Sequence, residues 1–232
     1  MQHRPKSERL FEEFCKSRSV EPVALKCNGK KQPDYELFFD GQKVVFEIKQ
    51  VEANAADRRY NATLKSGKMA AQTRDPDAVA ERVRNLIERA ADQIKSYHRE
   101  NADIPAVVVV YDNANNSYTD IYAIQTAMHG WEQVTLSVPS NGQPPTVVDR
   151  GFGRRNNKTF RPDKNTHISA VATLHEFWDM ATKERQLGLR FYHNCYATNP
   201  FNRAWWDDKN ISHLILTDKV EGEFQNWKPL TS

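Results

Sequence analysis

Hydrophobic positions along the chain follow two periods, and the switches between them mark out its elements. Leu10, Phe11 and Phe14 fall at helical spacing, Ser7 can cap, and Glu8, Glu12 and Glu13 crowd the first turns, which predicts a helix over 6–18. Val20 to Cys27 reads as a short strand closed by Asn28-Gly29. The runs 34–39 and 43–51 flank Asp40-Gly41, the signature of a hairpin, and Pro33 is tolerated at the start of the first strand. Residues 52–77 show no clear period and are expected to form a long excursion, partly helical or mobile. Val79, Val83, Leu86, Ile87, Ala90, Ile94 and Tyr97 then make one stripe, predicting a long amphipathic helix from Asp77 to Glu100. The unbroken apolar run Ala106–Tyr111 suits a strand buried on both faces.

Beyond it the pattern loosens. A helix is expected near 119–129, stopping at Gly130, followed by strands at 134–138, 146–148, 168–174, 189–192 and 211–216, with a short helix near 175–184. This order predicts one α/β domain over 1–232, with a mixed central sheet flanked by helices. Its core spans about 6–112, and 113–232 is an elaboration with extra C-terminal strands.

Composition narrows the class. Hydrophobic residues at 39% and charged residues at 27% suit a soluble globular protein. The longest apolar stretch, Ala106–Tyr111, is far too short to span a bilayer, so no membrane partner is expected. No apolar segment follows Met-Gln-His-Arg-Pro-Lys, which makes a cytoplasmic location the expectation. Cys15, Cys27 and Cys195 form no CxxC pair and are expected to be reduced thiols, at least one of them in the core. A net charge of +3 says little by itself, but its distribution is uneven. Arg58, Arg59, Lys65, Lys68 and Arg74 share an acid-free segment, as do Arg150, Arg154, Arg155, Lys158 and Arg161. Such runs form either solvated loops or a surface that tracks phosphates. Both segments are expected to flank the catalytic centre, with Arg58, Arg59, Lys65, Lys68, Arg154, Arg155 and Lys158 as nucleic-acid contacts.

The chemistry concentrates in Pro33-Asp34 and, twelve residues later, Glu47-Ile48-Lys49. Alternate residues of a strand share a face, so Glu47 and Lys49 project together while Phe46 and Ile48 pack behind them. The hairpin returns the second strand beside the first and brings Asp34 toward Glu47. Two carboxylates and an ammonium on one face suit Mg²⁺, a hard cation that binds oxygen ligands and substrate phosphate. The lysine is placed to orient water or neutralise the transition state.

The segment Pro33-Asp-Tyr-Glu-Leu-Phe-Phe-Asp-Gly-Gln-Lys-Val-Val-Phe-Glu-Ile-Lys-Gln-Val51 resembles the signature of the PD-(D/E)XK, or restriction-endonuclease-like, nucleases. The resemblance covers roughly the first half of the chain. It implies that Asp34 and Glu47 bind metal, Mg²⁺ with Mn²⁺ as a substitute, and that Lys49 assists attack of water on a DNA phosphodiester. In that family an acid of the first helix often completes the metal site, for which Glu8 is the first candidate and Glu12 the second. Gln93 and Tyr97 resemble the QxxxY element of the RecB-like exonuclease branch, although the intervening 52–77 segment departs from that pattern. The function implied is a DNA endonuclease, in restriction or antiviral defence. The alternatives are a non-catalytic module holding nucleic acid or a partner, and an RNA-directed nuclease, with a homodimer open to each.

Other signals are set aside. His175-Glu176 lacks the second histidine of a zinc protease, since position 179 is Asp. His167-Ile-Ser169 has no matching second His-x-Ser element, and Tyr192-His193-Asn194 reads as a structural corner. Trp205 and Trp206 are expected in the core rather than on bases.

Overall fold

The computed structural model describes residues 4–25, 31–71, 73, 75–114, 118–152, 158–216 and 227–229. Cys27, Arg74, Arg154 and Arg155 lie outside them.

Helix α1 is Lys6–Lys16, and strands β1 (Val23–Ala24), β2 (Tyr35–Phe39) and β3 (Gln42–Val51) follow. Ser7 does not cap α1: the cap position is Pro5, and the buried Ser7 instead donates its amide to Gln50 Oε1 at 2.8 Å. Of the expected 20–27 strand, Val23–Ala24 is extended and paired, and 26–27 lie outside the described residues. The β2–β3 turn is Asp40-Gly41, with φ of 50° and 78°, and Phe39 pairs with Gln42 across it. Two positive φ values give the turn the twist that matches its strands, and the Gly accepts this freely.

The excursion after β3 holds an ordered helix, α2 (Ala55–Lys65), closed by a capping box of Asn54 and Asp57. Asp57 is wholly buried and also accepts from Arg82 at 2.9 Å and Tyr118 at 2.8 Å, which ties α2 to its neighbours. Helix α3 (Pro76–His98) starts on the Asp75 cap with proline in its first turn. Strand β4 (Ala106–Asp112) pairs in parallel with β3. Helix α4 (Ile121–His129) is capped by Asp120 and ends at Gly130, whose φ is 87°.

The remaining strands are β5 (Glu132–Ser137), β6 (Thr146–Phe152), β7 (Ala170–Asp179), β8 (Glu184–His193), β9 (Ile211–Leu216) and β10 (Trp227–Pro229). The helix expected near 175–184 is instead the distal arm of a long β7–β8 hairpin. The side chain of Asp179 accepts from the amide of Ala181 at 2.8 Å and closes its turn. Tertiary pairing overrides the local helical pattern there. Eight strands form one sheet in the order β1-β2-β3-β4-β7-β8-β9-β10, and β5 and β6 form a separate pair.

The sheet is mixed and flanked by helices. Alternate residues of β4 go to opposite cores: Val108 and Val110 pack with Val83, Ile87 and Ile94 of α3, and Val107 and Val109 with Phe11 and Phe14 of α1. This explains the unbroken apolar run, because β4 has no solvated face. The β5–β6 hairpin is a separate sheet whose Phe152 packs against the α3 core, and at its base Phe160 N donates to Met128 O at 3.0 Å and Thr159 Oγ1 to Ala127 O at 2.7 Å. No helix among the described residues is long and apolar enough to cross a membrane.

Candidate active site

The β2–β3 pairing ends where the candidate residues begin. Tyr35 pairs with Phe46, and Asp34 N still donates to Phe46 O at 3.1 Å. One step further the ladder changes partner: Ile48 N donates to Asp34 Oδ2 at 2.7 Å. The carboxylate thus replaces a backbone acceptor and is anchored beside Glu47. On the other side β3 stays in register with β4, Glu47 beside Val108 and Lys49 beside Val110, so its backbone is fixed where both side chains leave it.

Glu47 is wholly buried. Lys49 forms an ion pair with Glu47 Oε1, and Lys49 Nζ also donates to Gln93 Oε1 at 2.7 Å. Glu47 Oε2 is buried with no hydrogen-bond partner. Such an atom carries a desolvation cost of the order of 1–3 kcal/mol. Burial, followed by the charge of Asp34, pushes Glu47 up to about 8 against the pull of Lys49 and Gln93. Asp34 is raised by burial, opposed by the amide of Ile48 and the charge of Lys49. Glu8 is raised by burial and then by the Asp34 charge, and it also feels Lys49. The three carboxyls and Lys49 therefore form one electrostatic cluster.

The two candidates on α1 part company. Glu8 senses Asp34 and Lys49, whereas Glu12 accepts from Tyr35 at 2.9 Å and from Arg4 at 2.6 Å, the same Arg4 that stands 4.0 Å from Glu8. Gln93 and Tyr97 both reach this face of the sheet. Gln93 contacts Lys49, and its Nε2 lies 3.4 Å from Gln32 O; Tyr97 donates to Glu36 Oε1 at 2.5 Å, beside the Lys43–Glu36 pair at 3.0 Å. Sequence reasoning missed Glu36, yet its spacing of two residues from Asp34 places it on the same strand face.

Among the described residues, no three histidine, cysteine or carboxylate side chains stand ready as a metal cage. The donor chemistry nevertheless fits a hard divalent cation. Glu47 Oε2 is an orphaned acceptor, and Asp34 stands close enough for its charge to raise both Glu47 and Glu8.

Of the basic residues, Arg58, Arg59 and Lys65 are exposed on α2 and Lys68 just beyond it, immediately after β3. Arg58 Nη1 donates to Ala53 O at 2.6 Å. Lys158 is half-buried, and the charges it senses or exerts are those of Arg161 and His129. Trp206 packs in the core against Phe14 and Phe39, and Trp205 stacks on Phe39. Glu176 lies in an ion network: against the cost of burial, bonds from Lys6, Tyr111 and Arg185 hold it down to about 2. His193 Nε2 lies 2.9 Å from His213 Nδ1, and His213 Nε2 lies 3.1 Å from Trp206 O, a buried structural pair. Cys15 is buried and Cys195 exposed.

Comparison with protein-family models, with curated proteins and with solved structures returns no match.

Proposed function

We propose that this chain is a divalent-metal-dependent nuclease of the PD-(D/E)XK type, an endonuclease hydrolysing DNA phosphodiester bonds on a restriction-endonuclease-like frame. The observation that carries the proposal is Glu47: a fully buried carboxylate with an orphaned oxygen, set beside a second carboxyl and an ammonium on one sheet face. A fold gains nothing from burying like charges together, and perturbed carboxyls of this kind mark sites where chemistry sets the arrangement. The order of α1, the β2–β3 hairpin, α3 and β4 supports the same reading.

Asp34 and Glu47 would hold the cation, with Glu8 completing the set from α1. Mg²⁺, or Mn²⁺ in its place, supplies Lewis acidity that offsets charge on the phosphodiester and acidifies an attacking water. The chain's own part is positioning. Lys49 has three protons to donate; Glu47 and Gln93 take two, which aims the side chain and leaves the third for a phosphate oxygen or the water. The Asp34–Ile48 bond keeps that carboxyl fixed beside Glu47. The exposed cations of α2 would serve as contacts to a phosphate backbone.

The test offers supercoiled plasmid, single-stranded circular DNA and RNA in parallel, with Mg²⁺, Mn²⁺ or chelator. Cleavage of DNA that chelator abolishes, and that Asp34→Ala and Lys49→Ala reduce by orders of magnitude, is the expected result. Preferential cleavage of RNA moves the substrate. Binding without cleavage of any polymer makes the chain a recognition module instead.

A further inference from the structure

Two histidines outside the candidate centre are each tied down on one side and open on the other. His98 is the last residue of α3, and His167 lies just ahead of β7; their rings stand edge to face, with centroids 6.1 Å apart and planes at 82°. His167 Nε2 lies 3.1 Å from Ala91 O, and a carbonyl can only accept, so that nitrogen carries the ring's proton. His98 makes a hydrogen bond to the backbone of Ile104, and its Nε2 is buried with no hydrogen-bond partner among the described residues, so the bond belongs to Nδ1. The nitrogens left over, His98 Nε2 and His167 Nδ1, are both lone-pair acceptors.

Two acceptors cannot satisfy each other, so the pair calls for a Lewis acid or a donor between the rings. Burial holds both histidines below the ordinary value, which keeps them in the neutral form that binds metals. An imidazole whose far N–H is fixed by a backbone carbonyl is also the arrangement that orients metal-binding histidines. The spacing agrees. A metal–nitrogen bond of about 2 Å puts each ring centre about 3 Å from the ion, so two ligand rings lie about 5–6 Å apart. The observed 6.1 Å is the open end of that range, and a small closing movement suffices. The local field favours a cation as well. The C-terminal end of α3 presents the negative pole of its dipole, and the carboxylates of Asp103 and Asp92 act on the two rings against the single ammonium of Lys95.

We infer that His98 and His167 form a second metal site, which takes a late first-row divalent ion such as Zn²⁺ and fastens the end of α3 to the segment entering β7. Imidazole nitrogen selects Zn²⁺, Ni²⁺ or Cu²⁺, whereas Mg²⁺ keeps to oxygen ligands. The site therefore shares neither ligands nor ion preference with Asp34 and Glu47, and it stands whether or not the chain is a nuclease. Two protein ligands fall short of a closed cage, so water completes the shell and the ion exchanges with solution. Occupancy ties together residues 98 and 167, between which the chain runs through β4, α4, β5 and β6. An ion that binds only the folded chain stabilises it.

Calorimetric titration of the full chain with Zn²⁺, in excess Mg²⁺ to hold the carboxylate centre, tests it. His98→Gln and His167→Gln are each expected to weaken Zn²⁺ binding by about 10–100-fold, and the double variant to lose little more than either. His175→Gln, a histidine elsewhere in the sheet, should keep the parent's affinity. Thermal melting in chelator first shows which variants are folded; two independent single variants keep the test alive if one is not. Zn²⁺ should then raise the Tm of the parent and leave the His98 and His167 variants nearly unmoved. With Cu²⁺ in place of Zn²⁺, electron paramagnetic resonance should show nitrogen coupling from two imidazoles in the parent and from one in each single variant. Parental affinity and Tm response in both histidine variants, or an equal loss in His175→Gln, overturns the inference. Zn²⁺ binding that Asp34→Ala abolishes and the histidine variants spare assigns the ion to the carboxylates and overturns it too. A parent that binds no Zn²⁺ leaves a bridging water between the rings and no metal site.

Discussion

Replacing Glu47 by glutamine is predicted to stabilise the metal-free protein while abolishing cleavage. An ordinary glutamate ionises near 4.5, whereas burial and then the Asp34 charge raise Glu47 to about 8. The fold thus favours the neutral carboxyl. Stability tied to this group is full below 4.5, falls as pH climbs toward 8, and is flat beyond. At about 1.4 kcal/mol per pH unit the loss has a ceiling of about 5 kcal/mol, with about 3 kcal/mol of it incurred by pH 7. Glutamine keeps the shape and cannot ionise. Urea denaturation of both proteins in chelator, across roughly pH 5–9, reads the difference directly. The curves should lie close together at the acid end, with the variant more stable by about 3 kcal/mol near neutrality. If the carboxylates hold the ion as proposed, added Mg²⁺ should then stabilise the parent and leave Glu47→Gln nearly unmoved. Parallel stability curves at all pH values would refute the claim that the fold works against this charge. An equal response of both proteins to Mg²⁺ would remove Glu47 from the metal site.

Three further outcomes are expected. Gly188→Ala should destabilise by about 1–3 kcal/mol, because a Cβ would stand 2.6 Å from His175 Nε2 and 3.0 Å from Asn210 O; His175→Ala in the same chain should restore part of the loss by relieving one of the two clashes. Burial, with His213 and Arg203, lowers His193 to about 4, so stability present above about 6.5 should decline as pH falls toward 4, and His193→Gln should flatten that limb of a thermal-melting profile. Arg58→Ala/Arg59→Ala/Lys65→Ala should weaken DNA binding alike for unrelated sequences, with log affinity against log salt shallower by about 0.7–0.9 per lost contact; an unchanged slope makes these residues a solvated face.

The first half of the chain was legible because its information is local. A two-residue Asp-Gly turn fixes the register of β2 on β3, and that register carries Asp34 to Glu47. The apolar run of β4 announces a strand without a wet face. What stayed hidden depends on distant partners. The stretch 175–184 has helix-like spacing of charges, but Glu176 meets Lys6, Tyr111 and Arg185, and none of these pairings is visible in a window of sequence. The same holds for Ser7, whose composition suggests a cap and whose amide goes to Gln50, forty-three positions away. Lys31 and Arg99 lie far apart in the chain, and only the docking of α3 onto β2 makes them neighbours.

The β5–β6 arm is anchored at its base, where Ala127 and Met128 meet Thr159 and Phe160 and where Phe152 packs on the core. Its strands pair only with each other, and β4 pairs with β7 directly, so the main sheet runs past the insertion. Changes of length in the arm alter loop-closure entropy only with the logarithm of that length. The arm is therefore a part that evolution or an engineer can lengthen, trim or swap while the register of β3 on β4, and with it the spacing of Glu47 and Lys49, stays as it is.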